Sequence, residues 1–482
     1  MQQLPLFCSM RAVFLTVLSL FISLVLAGHK GSKSGNTAST STESTSEGEQ
    51  VVRTPGRLRY VENSGICETT PGVYQASGYA DLTSTQSMWF WFFASRNNPD
   101  TAPLSIWLNG GPGASSMIGL FETLGPCHLQ KDGTTLKRNK YSWNELFIDQ
   151  PIGTGYSHGE TTVRTSKEAA AALWKMLQIF FADDRFSRYA TRDFAIWTSS
   201  YGGHYGPIFA SYILDRNAEI DTGRINEIKI NLKVLSITSG MVDPYIQYPE
   251  YVEYAKSNPY HPLASEGIIR SVERFLRRPK GCMDQIRRCN SKLDNTICSK
   301  AQAFCNHYVL NPLVGDYDFY DVRLKDTAHE GSALFNDLDF KARIGAEGHW
   351  ERTSDKIFQN FESTGDWMKA TRQDLEKVIN AGVRTLILAG DADYMCNYMG
   401  IEAMVDALNT EFTSEYRQQG WMRWSVSGIT VGQYKTAGKL SYLRVYGAGH
   451  SIPAYKTGAL KRGEADLVYF TQTMRGLPIH SV

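Results

Sequence analysis

The sequence predicts an α/β fold in which helices cover both faces of a mostly parallel central sheet. Compact apolar runs bounded by Gly, Pro or Asn alternate along the chain with stretches of helical periodicity. Buried parallel strands have the first pattern and helices the second, and their alternation places parallel strands side by side. The predicted strands are residues 104–108, 146–149, 194–198, 232–238 and 385–389, and the predicted helices are residues 165–181 and 374–381. Thr165 or Ser166 can cap the first of these helices.

The composition is that of a large globular chain with balanced charge. Of 482 residues, 42% are hydrophobic, which is enough for a large core in one domain with an insertion or in about three domains of ordinary size. The formal net charge is +1, from 50 Lys and Arg against 49 Asp and Glu. Nucleic-acid binding is typical of chains with a basic surface, so the balanced charge argues against nucleic acid as a partner.

The N-terminus has the features of an export signal. Arg11 precedes an apolar run that ends at Leu26, so we expect residues 1–27 to be a signal peptide that is removed. A membrane anchor is the alternative, but the run is shorter than the roughly 20 residues that span a bilayer. Residues 28–50 are rich in Ser and Thr and lack large apolar side chains, which predicts a disordered leader. The sequence therefore predicts a secreted rather than a vacuolar protein, without membrane attachment after cleavage.

Four of the eight cysteines lie between residues 282 and 305, at spacings of 7, 9 and 7. This symmetric spacing favours two nested disulfides in an exported protein, Cys282 with Cys305 and Cys289 with Cys298. Zinc binding is the alternative, but no Cys-x2-Cys or His-x3–5-His spacing accompanies the cluster. The surrounding residues 245–364 lack strand–helix alternation. We expect them to form an insertion, or lid, on a core made of residues 51–244 and 365–482.

A serine-rich turn follows the third predicted strand. Ser200 lies between an apolar strand and a segment that can be helical, which is the context of a nucleophile elbow. In the pattern Gly-x-Ser-x-Gly, Gly202 fits the second glycine, but Thr198 stands at the position of the first. Taken alone, such a turn is more often a structural loop than a nucleophile elbow.

Two later segments support a catalytic interpretation. Asp391 and Asp393 follow the strand at 385–389, and His450 follows a glycine near the C-terminus. The chain order Ser, Asp, His is that of the α/β-hydrolase triad, in which a His base activates a weakly nucleophilic hydroxyl. Spacing alone allows either Asp to be the acid.

A glycine-rich loop leaves the first predicted strand, with the sequence Trp-Leu-Asn-Gly-Gly-Pro-Gly at residues 107–113. Backbone N–H groups in such a loop can approach a reacting carbonyl and form an oxyanion hole. Phosphate binding is the alternative, but the loop lacks both the Gly-Lys-Ser/Thr ending and a Gly-x-Gly-x-x-Gly pattern.

Together these motifs resemble the serine carboxypeptidase family in its secreted fungal form. The resemblance covers nearly everything from residue 65 to residue 477, and its other motifs are Asp-Gln-Pro-Ile-Gly-Thr-Gly-Tyr-Ser at 149–157 and Gly-Asp-Ala-Asp-Tyr-Met-Cys-Asn at 390–397. It implies an α/β-hydrolase fold and peptide or protein C-termini as substrate. It implies no cofactor and no metal, and it leaves the oligomeric state open.

The resemblance also implies a role for individual residues. The triad would be Ser200, Asp393 and His450, and the oxyanion donors would be the N–H groups of Gly111 and Tyr201. The other implied residues are Asn109 and Gly110 at the substrate carboxylate, Trp367 in the pocket before the scissile bond, and Cys396 as a free thiol near the triad. Cys67 and Cys127 then pair by elimination.

The sequence departs from the family at the site for the substrate's terminal carboxylate. The family has two Glu residues that share protons and hydrogen-bond this carboxylate, and here Ser199 and Thr123 occupy their positions. Glu122 is an adjacent carboxyl that could substitute. We therefore predict a carboxypeptidase with altered carboxylate recognition. The alternatives are an acyl hydrolase, an acyltransferase or a lipase on the same triad, or a non-catalytic binding protein.

Overall fold

One large β-sheet runs through the centre of the structure, a computed structural model that describes residues 53–143, 145–325 and 333–482. The predicted signal peptide and leader lie outside these residues. The strands are β1 Leu58–Glu62, β2 Gln75–Asp81, β3 Gln86–Phe93, β4 Leu104–Leu108, β5 Cys127–Leu129, β6 Leu136–Arg138, β7 Leu146–Ile148, β8 His158–Gly159, β9 Phe194–Ser199, β10 Leu232–Thr238, β11 Arg384–Gly390, β12 Met422–Val426, β13 Ile429–Ala437 and β14 Leu440–Val445.

The sheet has a parallel centre and antiparallel edges. Its strand order is β1-β2-β3-β7-β4-β9-β10-β11-β14-β13-β12, with β8 paired to β3, while β5 and β6 form a separate ribbon. The strands from β7 to β14 in this order are parallel to their neighbours. The flanking strands β1 to β3 and β12 to β13 join antiparallel. The α/β class is confirmed, and the edge hairpins make the sheet more mixed than the predicted strands indicated.

Helices pack against both faces of the sheet and fill the connections. They are α1 Met117–Glu122, α2 Ser166–Ala182, α3 Gly202–Asp221, α4 Pro244–Lys256, α5 Glu266–Arg277, α6 Cys282–Lys292, α7 Asn295–Cys305, α8 Asn311–Val314, α9 Ala333–Asn336, α10 Leu338–Ile344, α11 Asp355–Glu362, α12 Arg372–Asn380, α13 Tyr398–Asp406, α14 Thr413–Gln418 and α15 Glu464–Met474. Thr165 caps α2 in a reciprocal capping box with Glu168.

Strand β3 shows why the sheet is buried on both sides. Successive side chains of a strand point to opposite faces, and every residue of β3 from 87 onward is buried. Phe90 and Phe92 pack in the core on one face, and Trp89 and Trp91 pack in the core on the other. The sheet therefore forms a buried middle layer between two apolar cores.

The connection between β10 and β11 contains helices α4 to α12. Disulfides join Cys282 to Cys305 and Cys289 to Cys298, so α6 and α7 are linked twice. A third disulfide joins Cys67 to Cys127.

Candidate active site

Ser200 occupies a strained turn between β9 and α3. Its backbone φ is +66°, a left-handed conformation that is costly for a residue with a side chain. The turn is held because the Ser200 N–H donates to the carbonyl of Thr238, 3.0 Å away, at the end of the neighbouring strand β10. The side chain is partly exposed at the carboxyl end of the parallel strands. This is the geometry of a nucleophile elbow.

Thr198 fits at the position where the elbow pattern has glycine. Its hydroxyl donates to the carbonyls of Gly202 and Ser236, both at 3.1 Å. A side chain at Gly202 would overlap the Thr198 Cβ, and one at Gly206 would press on its hydroxyl. The two glycines of α3 therefore leave the space that the Thr198 side chain needs, which compensates for the absence of a glycine at position 198.

His450 and Asp393 form a buried hydrogen-bonded pair. Nδ1 of His450 donates to Oδ2 of Asp393 at 2.8 Å, and the aspartate is fully buried. Oδ1 of Asp393 accepts the Cys396 N–H at 3.2 Å. Gly390 permits this approach because a side chain there would overlap the carbonyls of Ala448 and Gly449 in the loop that carries the histidine.

Asp391 has a different set of contacts. Its Oδ1 accepts the Tyr260 hydroxyl at 2.6 Å and the Gly447 N–H at 2.8 Å. Burial raises the pKa of this carboxyl. Asp391 thus connects the histidine loop to the helical connection, whereas Asp393 contacts the imidazole.

The glycine-rich loop after β4 lies directly against the elbow. A side chain at Gly110 would overlap the backbone of Ser199 and Tyr201. Gly111 has a φ of +107°, which favours glycine. Within the described residues, the N–H groups of Gly111 and Tyr201 have no hydrogen-bond partner. Two unpaired donors on either side of a nucleophile can stabilise an oxyanion.

Asn109 and Thr123 are held by the short helix α1. Oδ1 of Asn109 accepts from Nε1 of Trp107 at 2.7 Å and from the N–H of Gly119 at 3.2 Å, so its amide nitrogen points the other way. The Thr123 hydroxyl donates to the carbonyl of Gly119 at 2.7 Å and is buried. Ser199 is also buried, at the end of β9.

Glu122 is engaged in an ion pair with Arg352. The guanidinium contacts both carboxylate oxygens, with Nη2 2.6 Å from Oε2, and Arg462 donates to the Glu122 carbonyl. The backbone of Arg352 accepts the Ser115 N–H at 3.0 Å, next to the glycine-rich loop. The carboxyl adjacent to Thr123 is therefore tied to a cation.

Trp367 lies beside the residue that follows the nucleophile. Its ring stacks on Tyr201 with centroids 5.7 Å apart, and its Nε1 donates to the Tyr248 hydroxyl at 3.0 Å. Trp367 thus lies at the elbow although it is more than 160 residues away in the chain. Its neighbour Asp366 is held there too, because it accepts a hydrogen bond from the Tyr201 hydroxyl.

Comparison with known proteins identifies the chain. A sequence profile of the serine carboxypeptidases matches residues 65–462. The chain belongs to the serine carboxypeptidase family. It is 37% identical over 432 residues to carboxypeptidase S1 of Penicillium janthinellum, across 88% of this chain and 100% of that protein. It is 34% identical to carboxypeptidase Y homolog A of Arthroderma gypseum, across 84% of this chain and 75% of that protein.

The fold is that of the family as well. The structure is similar to Kex1(delta)p, a prohormone-processing carboxypeptidase of Saccharomyces cerevisiae, with a TM-score of 0.66 and 22% sequence identity over 83% of this chain and 92% of that chain. The α/β-hydrolase fold is thereby confirmed. This protein is a serine-type carboxypeptidase, a hydrolase whose substrates are peptides.

The cysteines of this carboxypeptidase fit an oxidising compartment. The three disulfides and the fungal relatives are consistent with a secreted or vacuolar protein. Cys396 is unpaired and buried beside Asp393, and burial raises the pKa of its thiol well above the usual range. Within residues 53–143, 145–325 and 333–482, no helix combines the length and the apolar character needed to span a membrane.

Sequence reasoning missed several residues that surround the serine carboxypeptidase site. Tyr320 packs on His450 with ring centroids 4.8 Å apart, and its carbonyl accepts the His450 N–H at 2.8 Å. Burial raises the pKa of Tyr320, and the nearby charge of Arg352 opposes that rise. Tyr260 holds Asp391. These residues belong to the helical connection, and no short motif marks them in the sequence.

Proposed function

We propose that this carboxypeptidase removes C-terminal residues through an acyl-enzyme on Ser200. The Ser200 hydroxyl attacks the last peptide carbonyl while Nε2 of His450 takes its proton, and the N–H groups of Gly111 and Tyr201 stabilise the oxyanion. His450 then gives the proton to the departing amine, and the C-terminal residue leaves. Water, deprotonated by the same imidazole, releases the shortened peptide. Asp393 holds the tautomer that makes both transfers possible.

The proposed enzyme binds the substrate's terminal carboxylate without a pair of titrating carboxyls. The observation that carries this proposal is the hydrogen bond from the Thr123 hydroxyl to the Gly119 carbonyl. Thr123 stands where the family has a Glu, and this bond uses the only hydrogen that its hydroxyl could donate to a substrate. Ser199, at the second position, has no ionisable group. We infer that the carboxylate is anchored by the Asn109 amide and by backbone N–H groups of the Gly110 loop.

The charges around Thr123 support the same proposal. Glu122 is paired with Arg352, and Arg462 contacts its backbone, so the local charge favours an anion. Nε2 of His128 lies 3.0 Å from the Thr123 carbonyl. Burial and the charge of Arg462 lower the pKa of His128 to about 4, so this ring is neutral above that pH.

A comparison of free and amidated substrates tests the proposal. Two blocked dipeptides that differ in having a C-terminal acid or amide would be assayed with the purified enzyme. A hydrogen bond to a charged group contributes about 1.5–3 kcal/mol, so loss of one such bond reduces the preference for the acid by about one to two orders of magnitude, and loss of two by about two to four. The variant with Thr123→Glu and Ser199→Glu should widen the preference again. An unmodified enzyme that already discriminates as strongly as that double variant would contradict the proposal.

We further propose a secreted destination and a lid role for residues 245–364. The lid proposal is supported by Tyr320 against His450 and by Tyr260 against Asp391, because both side chains come from that segment. The secreted destination is tested by assaying carboxypeptidase activity in the culture medium and in the vacuolar fraction of the producing cells, because a secreted enzyme is found in the medium.

A further inference from the structure

Asp149 is a fully buried carboxylate that the proposed mechanism does not use. It directly follows β7, and the glycine-rich loop follows β4, the parallel strand beside β7. On its other side β4 pairs with β9, the strand that leads to Ser200. Parallel neighbours end at the same edge of a sheet, which is where such folds place their sites. The carboxylate, the loop and the nucleophile therefore leave the sheet side by side.

The Asp149 carboxylate binds the two serines that end the glycine-rich loop. Its Oδ1 accepts the Ser115 hydroxyl and the Ser116 N–H, both at 2.7 Å. Its Oδ2 accepts the Tyr156 N–H at 2.9 Å. Gly155 permits this approach, because a side chain there would overlap the carboxylate. Three donors converge on one side chain, so the place of Asp149 fixes the place of both serines.

Ser116 connects this carboxylate to the start of the loop. Its Oγ accepts the Asn109 N–H at 3.1 Å, while its own N–H is held by Asp149. The two ends of the loop, residues 109 and 116, are thereby joined to each other and to β7. Gly111 lies between them with a φ of +107°, and glycine has the widest backbone freedom. The direction of its N–H therefore depends on how firmly the ends are held.

The other contacts of the loop come from the helical connection instead of the sheet. The Ser115 N–H donates to the Arg352 carbonyl at 3.0 Å, and the Ser354 N–H donates to the Gly113 carbonyl at 2.9 Å. Trp350 Nε1 donates to the Ser115 Oγ at 3.0 Å. These bonds hold the loop against the proposed lid. The bonds of Asp149 hold it against the sheet that also carries the nucleophile.

The Asp149 side chain meets three donors, which suits a carboxylate and does not suit an amide. Burial raises the pKa of Asp149 to about 6, and the hydrogen bonds from these donors oppose that rise. At about pH 7 the side chain is therefore an anion that accepts from all three. An amide in its place would turn its NH2 group towards a backbone N–H, that of Ser116 on one side or that of Tyr156 on the other.

We propose that Asp149 is a positioning residue, which acts through Ser116 to hold the glycine-rich loop in its oxyanion-binding form. The loop then presents the Gly111 N–H to the reacting carbonyl and the Asn109 amide to the substrate's terminal carboxylate. The inference rests on the proposed function, because it uses the proposed roles of these two residues.

The test measures kcat and KM of Asp149→Asn for a blocked dipeptide at about pH 7. Active sites are counted by fluorophosphonate labelling carried to completion. The kcat per labelled serine should fall by about 10- to 100-fold, because a displacement of about 1 Å in a positioning group can cost about 100-fold. KM should rise as well, since the same loop binds the substrate carboxylate. A residue that only stabilises the fold would lower the number of labelled sites and leave kcat per labelled site unchanged.

Ser116→Ala tests the connection itself. This variant removes the Oγ that accepts the Asn109 N–H, and kcat per labelled serine should fall by about 5-fold or more. If Asp149 acts through Ser116, the double variant should lose about as much as Asp149→Asn alone, instead of the product of the two single losses. If Asp149→Asn gives no labelled protein, Ser116→Ala decides, and an unchanged kcat there would overturn the inference.

Glu145→Gln provides the matched control. Glu145 is also fully buried, and it directly precedes the strand β7 that Asp149 follows, so it lies at the opposite end of the strand. This variant should keep kcat per labelled serine within about twofold. A kcat in Asp149→Asn within about threefold of the unmodified enzyme, or losses that multiply in the double variant, would overturn the inference. Failure of the unmodified enzyme to hydrolyse the dipeptide at all would instead contradict the proposed function, and this inference with it.

Discussion

Both carboxylate oxygens of Asp393 are committed, one to Nδ1 of His450 at 2.8 Å and the other to the backbone N–H of Cys396 at 3.2 Å. The carboxylate is fully buried, so it cannot rotate without losing one of these bonds, and the loss of a hydrogen bond by a buried carboxylate is costly. The imidazole is therefore held with Nδ1 protonated and Nε2 available for proton transfer.

Asp393→Asn should lower kcat by about 10³- to 10⁴-fold, because an amide can stabilise the wrong imidazole tautomer. Asp391→Asn is the control two residues away, and it should cost much less because Asp391 contacts Tyr260 and Gly447 instead of the imidazole. Steady-state kinetics of both variants measure the difference. A larger loss of kcat in Asp391→Asn than in Asp393→Asn would contradict the assignment of Asp393 as the triad acid.

Ser200→Ala should abolish turnover and covalent labelling by a fluorophosphonate. The reason is that the labelled oxygen is the one that the strained turn exposes. Ser199→Ala should still be labelled, and peptide mapping would locate the adduct on Ser200. An adduct found on Ser199 in the unmodified protein would refute the assignment.

The folded protein should be more stable at acid than at weakly alkaline pH. Burial raises the pKa of Glu145 to about 8 and that of Asp466 to about 7, against an unfolded value of about 4. The folded state therefore keeps protons that the unfolded chain releases. This contribution is complete below about pH 4 and is lost as the pH rises through 7 to 8.

Thermal unfolding at several pH values measures this effect. The Tm should fall between about pH 5 and pH 8, and Glu145→Gln should reduce that fall because its side chain no longer titrates. A Tm that rises over the same interval would contradict the burial of protonated carboxyls.

Cys396 should react with a thiol reagent after unfolding and resist it in the native state. Its side chain is 1% exposed, and burial and the charge of Asp393 raise its pKa, so the native thiol is protonated and shielded. Mass spectrometry of non-reduced, labelled peptides checks this. Rapid native labelling, or Cys396 in a mixed disulfide, would contradict the structure.

The sequence predicted the elements that depend on local patterns. The strands at 104–108 and 232–238 have the predicted bounds because compact apolar runs end at turn residues. The hairpins of β1 to β3 and β12 to β14 were not predicted, because antiparallel edges carry a weaker pattern than the buried centre. The Glu122–Arg352 pair spans 230 residues, and no local signal reports such a contact. Thr198 departs from the elbow pattern in the sequence, and it fits because Gly202 and Gly206, one turn along in α3, leave room for its side chain.

The central claim is that this carboxypeptidase anchors the substrate's terminal carboxylate without ionisable partners at Ser199 and Thr123. The most direct measurement is KM for a blocked dipeptide as a function of pH. Paired carboxyls become charged as the pH rises and repel the substrate, whereas hydroxyls do not titrate in that range. KM should stay comparatively flat between about pH 4 and pH 7, while kcat still follows the ionisation of the catalytic histidine. A steep rise in KM between about pH 5 and pH 7 would show that another carboxyl, with Glu122 the first candidate, contacts the substrate, and the claim would be wrong.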